Sequence, residues 1–190
     1  MIKAPNNWSE VHATENRRKI VPGGYVVKIL KAETIVFPSG WNGLVMELDI
    51  AEGDYKDFYK DDFKSQTGEY KKWKGIYRQG IPAEDCSADD MTARNFKGMI
   101  TAIEHSNSGY TWAWDEKSLE GKLVGCLFRS EEYDYNGFHG WKTVPMMYVS
   151  ADRIREGKYE VPAPKPLKAE KPVSNIPEGF DAIKDEDIPF

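Results

Sequence analysis

Cysteine is almost missing from this chain: Cys86 and Cys126 are the only two in 190 residues. That count excludes a disulfide framework and a cysteine-based metal cluster, and both residues read as packing thiols. Histidine is equally scarce. His12, His105 and His139 stand far apart without a ligand-spaced partner, so no metal centre is expected. Long apolar runs are lacking as well. A bilayer-spanning helix needs roughly 18 or more consecutive apolar residues, and the opening Met1-Ile2-Lys3-Ala4-Pro5-Asn6-Asn7 has no apolar run of the kind a secretion signal carries. A cytoplasmic protein is the expectation. Catalytic signatures are absent too: no phosphate-cradling glycine loop with its lysine, no nucleophile elbow, no zinc-binding histidine pair on a helix. Asp61-Asp62, Asp89-Asp90, Asp115-Glu116 and Glu131-Glu132 offer carboxylates of the sort a Mg²⁺-dependent nuclease uses. Adjacent acids are ordinary on solvated surfaces, however, so neither an enzyme nor a cofactor is expected.

A basic surplus, the usual mark of a polyanion binder, is also wanting: the net charge is -5. Residues 161–190 hold four lysines against six acids, which leaves the body mildly acidic at -3. Phosphate binding would therefore need a local groove rather than a basic molecule.

What is present is enough apolar material for a core, 40% hydrophobic and 13% aromatic. The composition changes after Gly157-Lys158-Tyr159. From there Val161-Pro162-Ala163-Pro164-Lys165-Pro166 opens a Lys/Glu/Pro stretch too poor in large apolar residues to fold. The expected organisation is a folded body, 1–160, with an irregular N-terminal arm up to Pro22-Gly23-Gly24, and a flexible tail, 161–190.

Within the body, Gly24 to Ala32 is rich in β-branched residues after a turn signal, and Leu44, Met46, Leu48 and Ile50 alternate with Val45, Glu47 and Asp49. These predict two strands. Tyr55, Phe58, Tyr59 and Phe63 at helical spacing suggest a short amphipathic helix, followed by a third strand near Trp73 to Arg78. A longer helix is predicted over Met91 to Ser106: Asp89 or Asp90 caps it, Phe96, Met99, Ile100 and Ile103 form its stripe, and Asn107-Ser108-Gly109 stops it. Leu123 to Arg129 and Val144 to Val149 supply strands four and five, with Pro145 placing the last at an edge or a bulge. Asn136-Gly137 between them is a hairpin signal. Three strands, a helix and two strands predict a mainly β fold with one or two helices, an OB-fold-like five-stranded barrel with a disordered C-terminal tail. A seven-stranded immunoglobulin-like sandwich is disfavoured.

Two segments carry ligand-type chemistry. Tyr70, Lys71, Lys72, Trp73, Lys74, Tyr77 and Arg78 interleave aromatic rings with cations on the predicted third strand, which suits the stacked bases and phosphates of a single strand. Tyr135, Phe138 and Trp141 sit on the predicted aromatic hairpin, read as a flap over the same groove. Tyr110, Trp112 and Trp114 read better as core packing after the helix.

The chain ends in Asp185-Glu186-Asp187-Ile188-Pro189-Phe190, three acids against an apolar tripeptide with a free carboxylate. A phenyl ring for an apolar pocket and carboxylates for Arg or Lys make a protein-recognition hook. With one acid exchanged for another, these six residues resemble the acidic tip of bacterial single-stranded DNA-binding proteins. The resemblance implies that the tip recruits replication and repair enzymes and competes with DNA for the groove. Phe96 to Asn107, Trp112 to Lys117 and Ile154-Arg155-Glu156-Gly157 are similar to proteins encoded by phages and prophages of Gram-positive bacteria, which implies a replication or recombination setting in the host cytoplasm. The reading is therefore a protein that binds and protects single-stranded DNA and recruits replication and recombination proteins through its tip. It has no membrane partner and leaves homo-oligomerisation open. The alternatives are a carbohydrate-binding β-module, which uses the same aromatic faces, and an adaptor that binds only protein.

Overall fold

The computed structural model describes residues 2–10, 18–38 and 40–167. Its centre is one antiparallel sheet of five strands: β1 (Gly23–Val36), β2 (Asn42–Ile50), β3 (Ile76–Gly80), β4 (Leu123–Tyr135) and β5 (Phe138–Val149), in spatial order β3-β2-β1-β4-β5. Helix α1 (Phe58–Ser65) joins β2 to β3, α2 (Met91–Ser106) joins β3 to β4, and α3 (Ala151–Arg155) follows β5. This is the mainly β, five-stranded succession the sequence predicted, with two differences: the sheet is curled but does not close into a barrel, and a third short helix, α3, adds to the one or two expected. No ladder joins β3 to β5. Tyr77 spans that seam instead: its ring centroid lies 4.4 Å from that of Tyr148, and its hydroxyl donates to the Met146 carbonyl at 3.2 Å.

The core follows from strand alternation. Val27, Ile29, Leu44, Met46, Leu48, Ile50, Val124, Cys126 and Phe128 are buried on the inner face, and Phe96, Met99, Ile100 and Ile103 of α2 lie against them. Burying one such side chain contributes about 1.5–3 kcal/mol. The predicted bounds of α2 hold: Asp90 accepts from the Ala93 amide at 2.7 Å, and Asn107 ends the helix. The Asn107 side chain then donates to Ile103 and Leu123 carbonyls at 2.7 Å and accepts from the Leu123 amide at 3.0 Å, which fixes where β4 begins.

Three departures from the predicted elements have physical causes. β4 and β5 run well past Arg129 and Val144, because Asn136 and Gly137 adopt φ of 51° and 78°; two left-handed residues match the strand twist and let the hairpin zip to its tip. β3 begins at Ile76 rather than near Trp73. The Gln66 side chain holds Lys72 from both sides, accepting from its amide and donating to its carbonyl at 2.8 Å each, so the preceding segment is tied to α1 instead of the sheet. β5 is an edge strand, as Pro145 requires, and its register slips so that Leu127 faces Met147 while Phe128 faces Pro145. Beyond α3 the chain returns to β4, where Lys165 exchanges backbone bonds with Glu132 and Ser130 at 2.9 Å. The tail from residue 168 on, with the tip Asp185 to Phe190, lies outside the described residues.

Helix α1 is capped from across the chain. Asp57 precedes it at φ 59° and makes no side-chain cap. Asp49, at the end of β2, takes that role: its carboxylate accepts from the amides of Ile50 and Tyr59 at 2.9 Å and of Lys60 at 3.3 Å. Burial raises the Asp49 pKa above the usual aspartate value, against the pull of those three amides. Replacing Asp49 with Ala leaves buried amides unpaired and should cost about 1–3 kcal/mol in denaturant unfolding. A raised native pKa means that stability linked to this group is fully present in acid and is lost as pH rises through that value. The wild type's advantage over Asp49→Ala is accordingly expected to be larger at acidic than at neutral pH.

Candidate functional site

The register of β1, β2 and β3 defines the outward rows of the sheet. Ile35 faces Gly43, which faces Gly80; Glu33 faces Val45, which faces Arg78; Lys31 faces Glu47, which faces Ile76; and Lys28 faces Asp49. At the head of these rows stands Trp41, in the connection between β1 and β2. A Cβ placed on Gly43 would coincide with the six-membered ring of Trp41, and one on Gly80 would come within 3.7 Å of its Nε1. Gly43 is thus the bed on which the indole lies, with Gly80, where a Cβ would meet the Thr92 methyl at 2.9 Å, facing it on the next strand. Phe37 braces it from the other side of the turn, ring centroids 4.9 Å apart. The indole remains 39% exposed, an aromatic face one row away from the exposed Arg78. Neither Trp41 nor Phe37 was singled out by the sequence reading. The signal was available as two aromatics bracketing Pro38-Ser39-Gly40, with Gly43 two residues beyond on the same strand face.

The β4–β5 hairpin carries a second group of rings. Tyr135 and Phe138 face each other at its tip and are 72% and 73% exposed, and Tyr133 follows on the same ribbon face. Tyr133 lies across Gly140, where a Cβ would meet its hydroxyl at 3.0 Å. Trp141 is 53% exposed but faces Glu132, on the opposite side of the ribbon, beside the Asp134–His139 pair. The three predicted hairpin residues are therefore divided: Tyr135 and Phe138 share a surface that Trp141 does not.

The predicted basic-aromatic strand is also divided. Tyr70, Lys71, Lys72, Trp73 and Lys74 precede β3 in irregular backbone. Tyr70, Lys71 and Lys72 are exposed there, the Lys71 ammonium lies 5.9 Å from the centre of the Phe63 ring, and Lys74 pairs with Asp62 at 2.9 Å. Trp73 is half-buried against Tyr59 and Phe63, with its indole N–H donating to the Leu48 carbonyl at 3.0 Å. On β3 itself, Tyr77 and Arg78 point to opposite faces. Tyr77 fills the seam, where burial pushes its hydroxyl well above the usual tyrosine pKa, and only Arg78 stands on the outer face. Tyr110 and Trp112 pack against the core as expected, whereas Trp114 is exposed and lies over Phe96, rings 8° from parallel.

Charge on the outer rows is balanced. Lys28, Lys31 and Arg78 stand among Glu33, Glu47 and Asp49. The Lys31–Glu33 pair at 2.8 Å holds the Glu33 carboxyl below the usual range, chiefly through the hydrogen bond from Lys31. Opposite charges so interspersed give these rows little long-range field. Comparison of the chain with protein-family models and with curated proteins gave no match. Filling the glycine bed should displace the indole: Gly43→Val is expected to shift one of the indole N–H resonances from the chain's six tryptophans in an NMR spectrum while most backbone resonances stay in place. An unmoved indole set would refute the bed.

Proposed function

We propose that the protein binds single-stranded DNA on the outer face of β1, β2 and β3, protects it during phage-type replication and recombination in the host cytoplasm, and recruits partner enzymes through Asp185 to Phe190. The observation that carries the DNA-binding part is the indole of Trp41, laid on the Gly43 bed with Arg78 in the neighbouring row. It stands where OB-type barrels hold oligonucleotides, on the second and third strands beside the loop between strands one and two. The exposed rings of Tyr135 and Phe138 are carried by the connection between strands four and five, the other loop such barrels use. Base stacking on aromatic rings is tolerant of sequence and worth about 1–3 kcal/mol per base. Because charge on this face is balanced, stacking supplies more of the affinity than counterion release does. Among the described residues no helix is long and apolar enough to cross a membrane. The recruiting role rests on the residues of the terminus alone, a phenyl ring and carboxylates offered together.

The test is quenching of tryptophan fluorescence by oligo(dT), with duplex DNA and an oligosaccharide as controls, across a salt series. Trp41→Ala should weaken oligo(dT) binding about tenfold or more. Arg78→Ala should flatten the salt dependence by about 0.7 in the log–log slope, the share of one phosphate on a single strand. Preference for the oligosaccharide, or an unchanged affinity in Trp41→Ala, would overturn the assignment.

A further inference from the structure

At the opposite end of β2 from Trp41 the same outer face sinks into a recess of about 490 Å³, lined by Lys28, Leu30, Asp49, Lys56, Lys60 and Trp73 among others. Several independent features make it more than a dent. Trp73 forms one wall with its ring orientation fixed, because the indole N–H is already committed to the Leu48 carbonyl at 3.0 Å and the far side packs on Tyr59 and Phe63. Leu30, the unmatched residue of β1, is pushed out to form another apolar wall. Lys28, Lys56 and Lys60 also line the recess, with Asp57. Lys28 and Lys56 have no carboxylate within ion-pair distance among the described residues. Lys60 has only the long, exposed contact to Asp57 at 3.4 Å, and such pairs contribute little. Of the two acids in the lining, Asp49 is buried and turned toward the Ile50 amide of β2 and the Tyr59 and Lys60 amides at the start of α1, so its charge is largely spent on the protein.

We propose that this recess is a second anchor for the same nucleic-acid strand, in which a base lies against Trp73 and the flanking phosphates meet Lys28, Lys56 and Lys60. The inference rests on the reading of the Trp41 face as a single-strand site. Its geometry follows from β2: Gly43, under Trp41, and Asp49, at the recess, belong to the same outward row set, and six residues of strand separate them by about 20 Å. An aromatic surface stands at each end of that span, with a balanced and sparsely stacking stretch of Val45 and Glu47 between. A strand gripped at both ends is held by stacking at the Trp41 end and by charge at the Trp73 end, where Lys28, Lys56 and Lys60 lie together. Short oligonucleotides then occupy the Trp41 anchor, and longer ones engage both. The second contact becomes intramolecular and adds affinity with length.

The experiment compares oligo(dT) of about four and about sixteen nucleotides, the limits of the site sizes seen for single OB folds, on the full chain and on Lys28→Gln/Lys56→Gln/Lys60→Gln. These exposed positions lose the charge while keeping the first two methylenes of each side chain, and circular dichroism verifies the fold. The triple variant is expected to bind the short oligomer as the wild type does. It should lose about tenfold in affinity for the long one, with the salt slope flattened by about 2, the share of three phosphates. An unchanged slope and affinity for the long oligomer overturns the second anchor, as does an equal loss for both lengths. Failure of the wild type to bind either length instead overturns the underlying reading of the Trp41 face.

Discussion

One unmatched residue in β1 governs how this sheet is used. Up to Ile29 the odd positions, Val27 and Ile29, face inward; after the slip between Ile29 and Lys31 the even position Ala32 does, and all three are fully buried. A bulge of this kind adds bend and twist to the strand that carries it. The bend lets β1 pair with β2 along most of its length while sharing only Gly23 to Lys28 with β4. Past that point its backbone groups are satisfied by the connection before β4: Ile29 donates to the Lys122 carbonyl at 3.0 Å and accepts from the Gly121 amide at 2.7 Å, and Ala32 donates to the Glu120 carboxylate at 3.2 Å. The same curl brings the two edges together so that Tyr77 can reach Met146. The backbone groups of Ile29 and Ala32 on the β4 side are thereby satisfied without closing the barrel.

The Trp41 surface and the lysine recess are consequences of that bend. Leu30 is extruded by the slip and becomes a wall of the lysine recess. The first connection carries Phe37 and Trp41 back onto the outer face, where Gly43 leaves room for a flat ring. The aromatic and the cationic contributions are separated along β2 rather than mixed residue by residue. On this acidic protein the exposed indole of Trp41 lies where opposite charges cancel, and Lys28, Lys56 and Lys60 line a recess whose aspartate, Asp49, is turned to backbone amides at a helix start.

Much of the architecture was legible because its signals are local. Asn136-Gly137 demands left-handed backbone at two successive residues and so specifies a tight hairpin wherever it lies. Asp90, the stripe from Phe96 to Ile103 and Asn107 each act within a turn or two of helix, and α2 falls where they place it. Pro145 has no amide to donate, and its strand is at the edge.

The site was less legible, and for one reason throughout. The interleaved rings and cations of Tyr70 to Lys74 have the composition of a ligand-binding strand, yet the Gln66 side chain draws Lys72 off the sheet, and no periodicity within the segment reports that. Trp41 lies over Gly43, and Gly80, far along the chain, comes opposite that glycine only through the pairing of β2 with β3. By itself the order of residues determined which stretches become strands and helices, since periodicity, caps and turns are written within a few neighbours. Which aromatic faces water, which lysines share a recess and which strand pairs with which were decided by register across the sheet, because those contacts join residues whose spacing along the chain carries no period at all.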